Sequence, residues 1–316
     1  KPDSRPPSSN GSNGTTTNVM YDNIVCNGQA YNFLAGKANL LSMLRERFTS
    51  PTEQKQLEKF EALINFHTSK PYKQTAVMFF RLKVPDILEW WPLRPLRTLL
   101  QTKLMGRHYY NSTQVSIEEM LTQQCGIEIG SELMAVLLGQ YGDSGMRPDK
   151  CSAMMHMGIM AHYSEGAVYP VGGSGEIPRK LNAVVLAGGG RSFTQATVES
   201  LLMDGRKCIG VRVNGIDVKA KIVVSGIGAY RSYEKLVKPL SDPYLSRCAT
   251  RAMERIEKTT ELTVAFIFLF IGLDISGQPE EERDIRSHNT WIYPGLDHTA
   301  MEKKIEEGAP WSPEAS

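Results

Sequence analysis

At 316 residues, 41% hydrophobic and 22% charged, the chain has room for one large or two ordinary domains around a substantial core. Its 36 basic side chains stand against 34 acidic ones, a formal net charge of +2, and the signs are interspersed, which argues against a nucleic-acid partner. The cysteines Cys26, Cys125, Cys151, Cys208 and Cys248 are scattered singly without ligand-like spacing, so free buried thiols are expected rather than a metal site or a disulfide framework.

The chain opens on a stretch of mostly Ser, Asn, Gly, Thr and Pro, expected to be linker over residues 1–22 and lacking the apolar core of a signal peptide. Asn10, Asn13 and Asn111 each begin an Asn-x-Ser/Thr sequon, a motif too short to argue a secretory route. From Asn39 to Lys70 the pattern is helical. Ser50 followed by Glu53 makes a capping box with Pro51 in the first turn, after which Leu57, Phe60, Leu63 and Ile64 recur at helical spacing. In VPDILEWWPLRPLRTLLQTKLMGR, Trp90 and Trp91 share an apolar segment with Arg94, Arg97, Lys103 and Arg107. Interfacial aromatics beside cations suit peripheral membrane contact; the alternative is an amphipathic helix packed on its own domain, and Pro92 and Pro95 exclude a regular helix over the first part.

Helices are expected from Ser116 to Cys125, where Ser116 caps, from Glu132 to Leu138, and from Cys151 to His162. The last is Met-rich, and its thioethers suit either core filling or a pocket for a flexible apolar ligand. His156 and His162, six apart on it, lack metal-ligand spacing and read as core. Tyr141, in QYGD, is a candidate proton donor, set against a buried tyrosine that merely satisfies its hydroxyl.

The character changes at Gly166. GAVYPVGG is extended, PRKLNAVVLAGGG reads as a helix ended by Gly188 to Gly190, and TQATVESLL alternates as a strand does. Asp204-Gly205 turns the chain into KCIGVRV, and Asn214-Gly215 is the type I′ signal before IDVKA. KIVVSG, Lys221 to Gly226, is an apolar run of the kind buried on both faces of a parallel sheet. A helix around Pro243 to Ile256, a buried strand in TVAFIFLFIGL from Thr263 to Leu273, and a shorter strand at HNTWIY follow. The Thr263 run would reach only about 16 Å as a helix against a hydrocarbon core of about 30 Å, so it cannot cross a bilayer.

No glycine cluster forms a phosphate cradle alone. In IVVSGIGAYRSYEKL the third glycine position of a dinucleotide fingerprint holds Arg231, and in YPVGGSGEIPRKL it holds Pro178. The order of these elements nevertheless resembles the distal part of the flavin domain in the phytoene desaturase and amine-oxidase superfamily, and within it the branch of retinol saturases and carotenoid isomerases. The stretches that carry the resemblance are LLGQYGDSGMRPDKCSAMMHMGIMAHYSEGAVYPVGGSGEIPRKL, TQATVESLLMDGRKCIGVRV and KIVVSGIGAYRSYEKLV. Glu176-Ile177 after the glycines is similar to the saturase version, and LEWWPLRPLRTLL stands where saturases have a helical insertion. The likeness runs from about Asn23 to Pro310 and is strongest between Gly139 and Leu240.

This resemblance implies an α/β protein: a mostly helical α+β substrate domain over residues 23–165, the distal part of an FAD-binding Rossmann-like domain over 166–240, and a return to the substrate domain over 241–316. It implies FAD as cofactor, NAD(P) as a candidate electron donor, a polyene isoprenoid as substrate, and association with a membrane, that of the endoplasmic reticulum for a saturase or a plastid for a carotenoid isomerase. The family's GxGxxG βαβ unit is not in this sequence, so the chain is expected to be an internal piece of a longer enzyme. Carried over residue by residue, Gly172 and Gly173 keep the crossing into the flavin domain free of Cβ atoms beside the cofactor, and Val198 offers its backbone to the adenine edge; Ser225 and Gly226 are expected to end the buried strand at its carboxyl end, where ligands collect in open α/β sheets. Glu176 is a candidate to orient substrate or relay a proton, against the bland role of a first-turn acid favoured by the helix dipole. The activity implied is reduction of a conjugated double bond. Carotenoid isomerisation or desaturation, and isoprenoid binding at a membrane without catalysis, are the alternatives.

Overall fold

A computed structural model describes residues 19–69, 107–163, 166–260, 267–279 and 288–308, together with 92, 95 and 99. The chain divides into two compact units, one drawn from residues 1–168 and 264–316, the other from 169–263. Both mix helix and strand.

In the first unit, β1 (Met20–Cys26) and β2 (Gln29–Leu34) form an antiparallel hairpin whose turn residues, Asn27 and Gly28, have φ of 48° and 76°. Two left-handed residues in a row are what a type I′ turn needs, and Asn-Gly supplies them at least cost. β6 (Asn289–Tyr293) returns from far along the chain to pair parallel with β1, giving the order β2-β1-β6. Ile24, Tyr31 and Phe33 of this sheet enter one core with Leu40, Leu41 and Leu44 of α1 (Lys37–Arg47) and Leu57, Phe60 and Ile64 of α2 (Pro51–Thr68). α2 begins with the expected capping box: Ser50 Oγ accepts from the Glu53 N–H at 3.2 Å while the Glu53 carboxylate accepts from the Ser50 N–H at 3.1 Å.

The helices α3 (Arg107–Gln114) and α4 (Ile117–Met120) lead, through a π turn at Leu121–Cys125, to α5 (Glu132–Leu138). Leu133, Met134, Ala135, Val136, Leu137 and Leu138 are all buried, so α5 is the central rod of the unit and is apolar all round for that reason. Ser116 and Ser131 cap α4 and α5 through their hydroxyls. α6 (Ala153–Tyr163) adds Met157 and Met160 to the core, and α9 (His298–Glu306) closes the described part of the unit after β6.

The second unit starts with α7 (Glu176–Ala187), ended as expected by glycines: the Gly188 N–H donates to Val184 O and Gly189 takes φ 79°. β3 (Val198–Asp204), β4 (Lys207–Val213) and β5 (Ile216–Lys219) follow as an antiparallel meander in the order β3-β4-β5. Its second turn has φ of 47° at Asn214 and 78° at Gly215, again type I′. α8 (Pro243–Thr259) is capped by Asp242, whose carboxylate accepts from the Tyr244 and Leu245 N–H groups, and it buries Ala249 and Met253.

Four expectations are corrected. β1 begins at Met20, inside the stretch expected to be linker, and the β1–β2 hairpin, which Asn27-Gly28 announces, stands in a half expected to be mostly helical. KIVVSG is not a strand: Ile222 and Val224 are 80% and 88% exposed, because a central strand of a parallel sheet needs a neighbour at each edge and none of the described residues supplies one. In TVAFIFLFIGL, residues 263–266 lie outside the described residues; Ile267 to Leu273 are irregular and exposed, again with no partner strand among the described residues. The second unit also runs on to residue 263, so α8 stays with the meander.

Candidate functional site

In the glycine crossing of the second unit, the Gly173 N–H donates to Pro170 O at 2.9 Å and the Glu176 N–H to Gly173 O at 3.1 Å, so two successive turns lead into α7. Gly172 and Gly173 take φ of 89° and 87°, a region that costs any residue bearing a Cβ about 1–2 kcal/mol. The two glycines differ in what surrounds them. A Cβ on Gly172 would sit 2.8 Å from Glu176 Oε1, whereas one on Gly173 would meet nothing within 4 Å.

Glu176 therefore has a position and partners. As the first residue of α7 it folds its carboxylate back over Gly172 and ion-pairs with Arg179, one turn on. A first-turn acid with a basic residue three positions on is a favourable arrangement on a helix. The turn is tied down on its other side, where Tyr169 Oη accepts from the Ser174 N–H at 3.3 Å; hydrogen bonding from the Ser174 side chain first, and from its backbone second, lowers the phenol's pKa.

Val198 opens β3 opposite Val213 and is 43% exposed. β3 is an edge of its sheet among the described residues, the setting that backbone recognition of a flat heterocycle requires. Ser225 and Gly226 form the third element. Ser232 Oγ donates to Gly228 O at 2.7 Å, so in the 2.6 Å contact between the two hydroxyls Ser225 must be the donor. These bonds hold the Gly226-x-Gly228 turn against the helical segment after it, and a Cβ on Gly226 would again meet nothing within 4 Å.

The backbone is open at Gly173 and Gly226 and the strand edge is exposed at Val198, and none of these residues forms a pyrophosphate cradle. The Gly172–Glu176 turn is one local constellation, and Val198 and the Ser225–Gly226 turn are two further ones within the same unit.

Tyr141 belongs to the first unit. It is buried and donates to Glu302 at 2.6 Å, with its ring 5.6 Å from Tyr293 and 5.3 Å from His298, centroid to centroid. Burial, then the hydrogen bond to Glu302, pushes the phenol well above its ordinary range. Around it lies a group of polar side chains that the sequence did not reveal. His156 Nε2 bonds Leu137 O and His298 Nε2 bonds Ala135 O, both at 2.9 Å, while Tyr293 Oη donates to Gly139 O at 2.7 Å. A carbonyl only accepts, so both imidazoles carry their proton on Nε2. Three elements thus cap the carbonyls left unpaired at the C-terminal end of α5. Burial holds both histidines low, His156 at about 4. Nearby, the buried Asp22 accepts from Gln140 Nε2 at 2.5 Å; burial raises its carboxyl, and burial together with the charge of Asp22 raises Asp143.

His156 and the methionines Met157 and Met160 are core, whereas His162 and Met155 are exposed. Trp90 and Trp91 lie outside the described residues, and no helix among the described residues is long and apolar enough to cross a membrane. No group of three or more His, Cys, Asp or Glu side chains among the described residues is arranged to hold a metal ion.

No family model matches the chain. Among curated proteins it is similar to all-trans-retinol 13,14-reductase of Homo sapiens, 29% identical over 282 residues, 87% of this chain and 42% of that protein. The Danio rerio protein of the same name is 27% identical over 287 residues, 87% of this chain and 43% of that protein. A chloroplastic prolycopene isomerase of Daucus carota is 35% identical over a shorter stretch of 78 residues, 24% of this chain and 12% of that protein. The chain spans about two fifths of the length of the reductases it matches.

Proposed function

We propose, from its kinship with the retinol saturase branch, that the protein carrying this chain is an FAD-dependent oxidoreductase that reduces a conjugated double bond of a polyene isoprenoid, retinol above all. The observation that carries this reading is the extent of the similarity, 87% of the chain against reductases so named. When bound, reduced flavin supplies the hydride chemistry, with NAD(P) as candidate electron donor.

In this reading the residues of the second unit have simple tasks. Gly172 and Gly173 let the backbone cross close to a flat ring, Val198 presents main-chain groups to the adenine edge, and Ser225 and Gly226 shape the turn beside it. Glu176, paired with Arg179 at the start of α7, would orient substrate. Substrate affinity would come chiefly from burying hydrocarbon, roughly 0.8 kcal/mol per methylene-sized group, so an apolar channel matters more than a single polar contact. We further propose that the protein works at a membrane, in keeping with so apolar a substrate.

The match to a prolycopene isomerase favours one second reading, isomerisation of a carotenoid. Incubating the purified full-length protein with a flavin reductant and either retinol or lycopene separates the two. A retinol product heavier by two hydrogens supports the reductase; an isomer of lycopene with unchanged mass supports the second reading; no conversion of either substrate refutes both.

A further inference from the structure

α9 joins the first unit in a way unlike α2 and α5. α2 and α5 are set by buried apolar side chains, whereas the fully buried positions of α9 are His298 and Thr299, with Ile305 half exposed. Its side-chain ties to the rest of the unit, among the described residues, each involve an ionisable group. His298 donates to Ala135 O of α5, Thr299 donates to the Glu118 carboxylate of α4, and Glu302 accepts from Tyr141. Glu306 pairs with the buried Arg147, which also binds Asp149 at 2.9 Å, and Lys303 reaches Asp149 at 3.2 Å.

We propose that α9 is an electrostatic latch, which mild acid or high salt releases while the apolar core of the first unit stays folded, uncovering the wall of Tyr141 and Tyr293 beneath it. The groups that face the helix are Glu118 from α4, Tyr141, Arg147 and Asp149 from the segment between α5 and α6, and Tyr293 from β6, with His156 of α6 close to His298. On α9 itself stand His298, Glu302, Lys303 and Glu306, with Asp297 as its cap.

Acid acts on these ties from both ends. A protonated carboxyl is a weaker acceptor for a cation than a carboxylate, and His298 gains its second proton on Nδ1, a buried atom with no protein partner. Because burial holds His298 below the ordinary imidazole range, its contribution is lost as pH falls below about 6.5. Burial alone would raise Asp149, but hydrogen bonds from Arg147 and Lys303 outweigh it and keep the carboxyl low, so that tie fails last. Salt shortens the Debye length to about 3 Å at 1 M and weakens the pairs that the half-exposed Glu306 and Lys303 make with Arg147 and Asp149, whereas apolar packing does not suffer.

Hydrogen exchange on the intact protein tests this. Between about pH 7.5 and about pH 4.5, and again on adding about 1 M NaCl at neutral pH, protection factors of amides 302–306 are expected to fall roughly tenfold or more while those of α2 and α5 hold. Lys303→Glu, a surface change that sets a like charge beside Asp149, is expected to lower protection of the same amides at neutral pH without acid or salt. The proposal is overturned if α9 keeps its protection in acid and salt, if it loses protection only together with α5, or if Lys303→Glu leaves it unchanged.

Discussion

His156 links the pH dependence of folding to one hydrogen bond. Its ring is buried, donates to Leu137 O and is held at about 4 by burial first, with the nearby His298 in the same direction and the bond to Leu137 opposing both. In the unfolded chain an imidazole titrates near 6.5. The unfolded state therefore binds the proton more tightly, and stability falls as pH drops below about 6.5, at up to about 1.4 kcal/mol per pH unit, until the folded pKa is reached. Between neutrality and about pH 4.5 this amounts to about 2–3 kcal/mol. Asp22 and Asp143, whose carboxyls are raised, contribute with the opposite sign, gaining stability as they protonate, so the wild-type curve alone is ambiguous. His156→Gln removes the ambiguity, because the amide can still donate to Leu137 O and does not titrate. Urea denaturation at about pH 7 and about pH 4.5 should show that the variant loses about 2–3 kcal/mol less than the wild type over that interval. Equal losses in both proteins would show that His156 does not set the acid sensitivity, and the reasoning fails.

Other substitutions probe the remaining features. Gly139→Ala would place a Cβ 2.5 Å from Ile24 Cγ2, inside the packed seam between α5 and β1, and should cost about 1–3 kcal/mol in urea denaturation; an unperturbed midpoint would mean that the seam is slack. Tyr141→Phe removes the donor to Glu302 and should cost about 1 kcal/mol as a structural bond, whereas a loss of turnover of roughly 100-fold or more would mark the hydroxyl as the proton source. Gly172→Ala forces φ 89° on a side chain and pushes it at Glu176, so purified full-length protein should hold less flavin, read from its visible absorbance, while Val198→Ile should leave flavin content unchanged. Full flavin in the Gly172 variant would remove the crossing from the cofactor site.

The parts of the fold that were legible in the sequence are those written locally. The capping box at Ser50, the glycine stop after Ala187 and the Asn214-Gly215 turn each need only a few neighbouring residues, and each stands where the sequence puts it. The polar capping of α5 was not legible, because His156, Tyr293 and His298 come from three elements far apart in the chain and no spacing rule connects them. Candidate residues of the glycine crossing were legible as positions, since paired glycines before a helix point to left-handed backbone. The orientation of Glu176 over Gly172 was not, because it depends on the rotamer that Arg179 selects.

The two expected strands that do not form follow from the same distinction between local and distant causes. KIVVSG and the run ending at Leu273 have the composition of buried strands, but composition sets only a preference, and a strand exists when a neighbour accepts its hydrogen bonds. The hairpin of β1 and β2 carries its partner within eight residues of its turn, and it forms even though β1 starts in what reads as linker. β6 shows the other case, since a parallel partner must be delivered by a distant crossover and its register with β1 cannot be read from either strand alone. In the second unit α7 buries none of its residues, although Ile177, Leu181 and Val184 recur on it at helical spacing. Ile222 and Val224 are likewise exposed, so on α7 the local helix signal is correct while the burial expected of these apolar side chains is not met within the described residues.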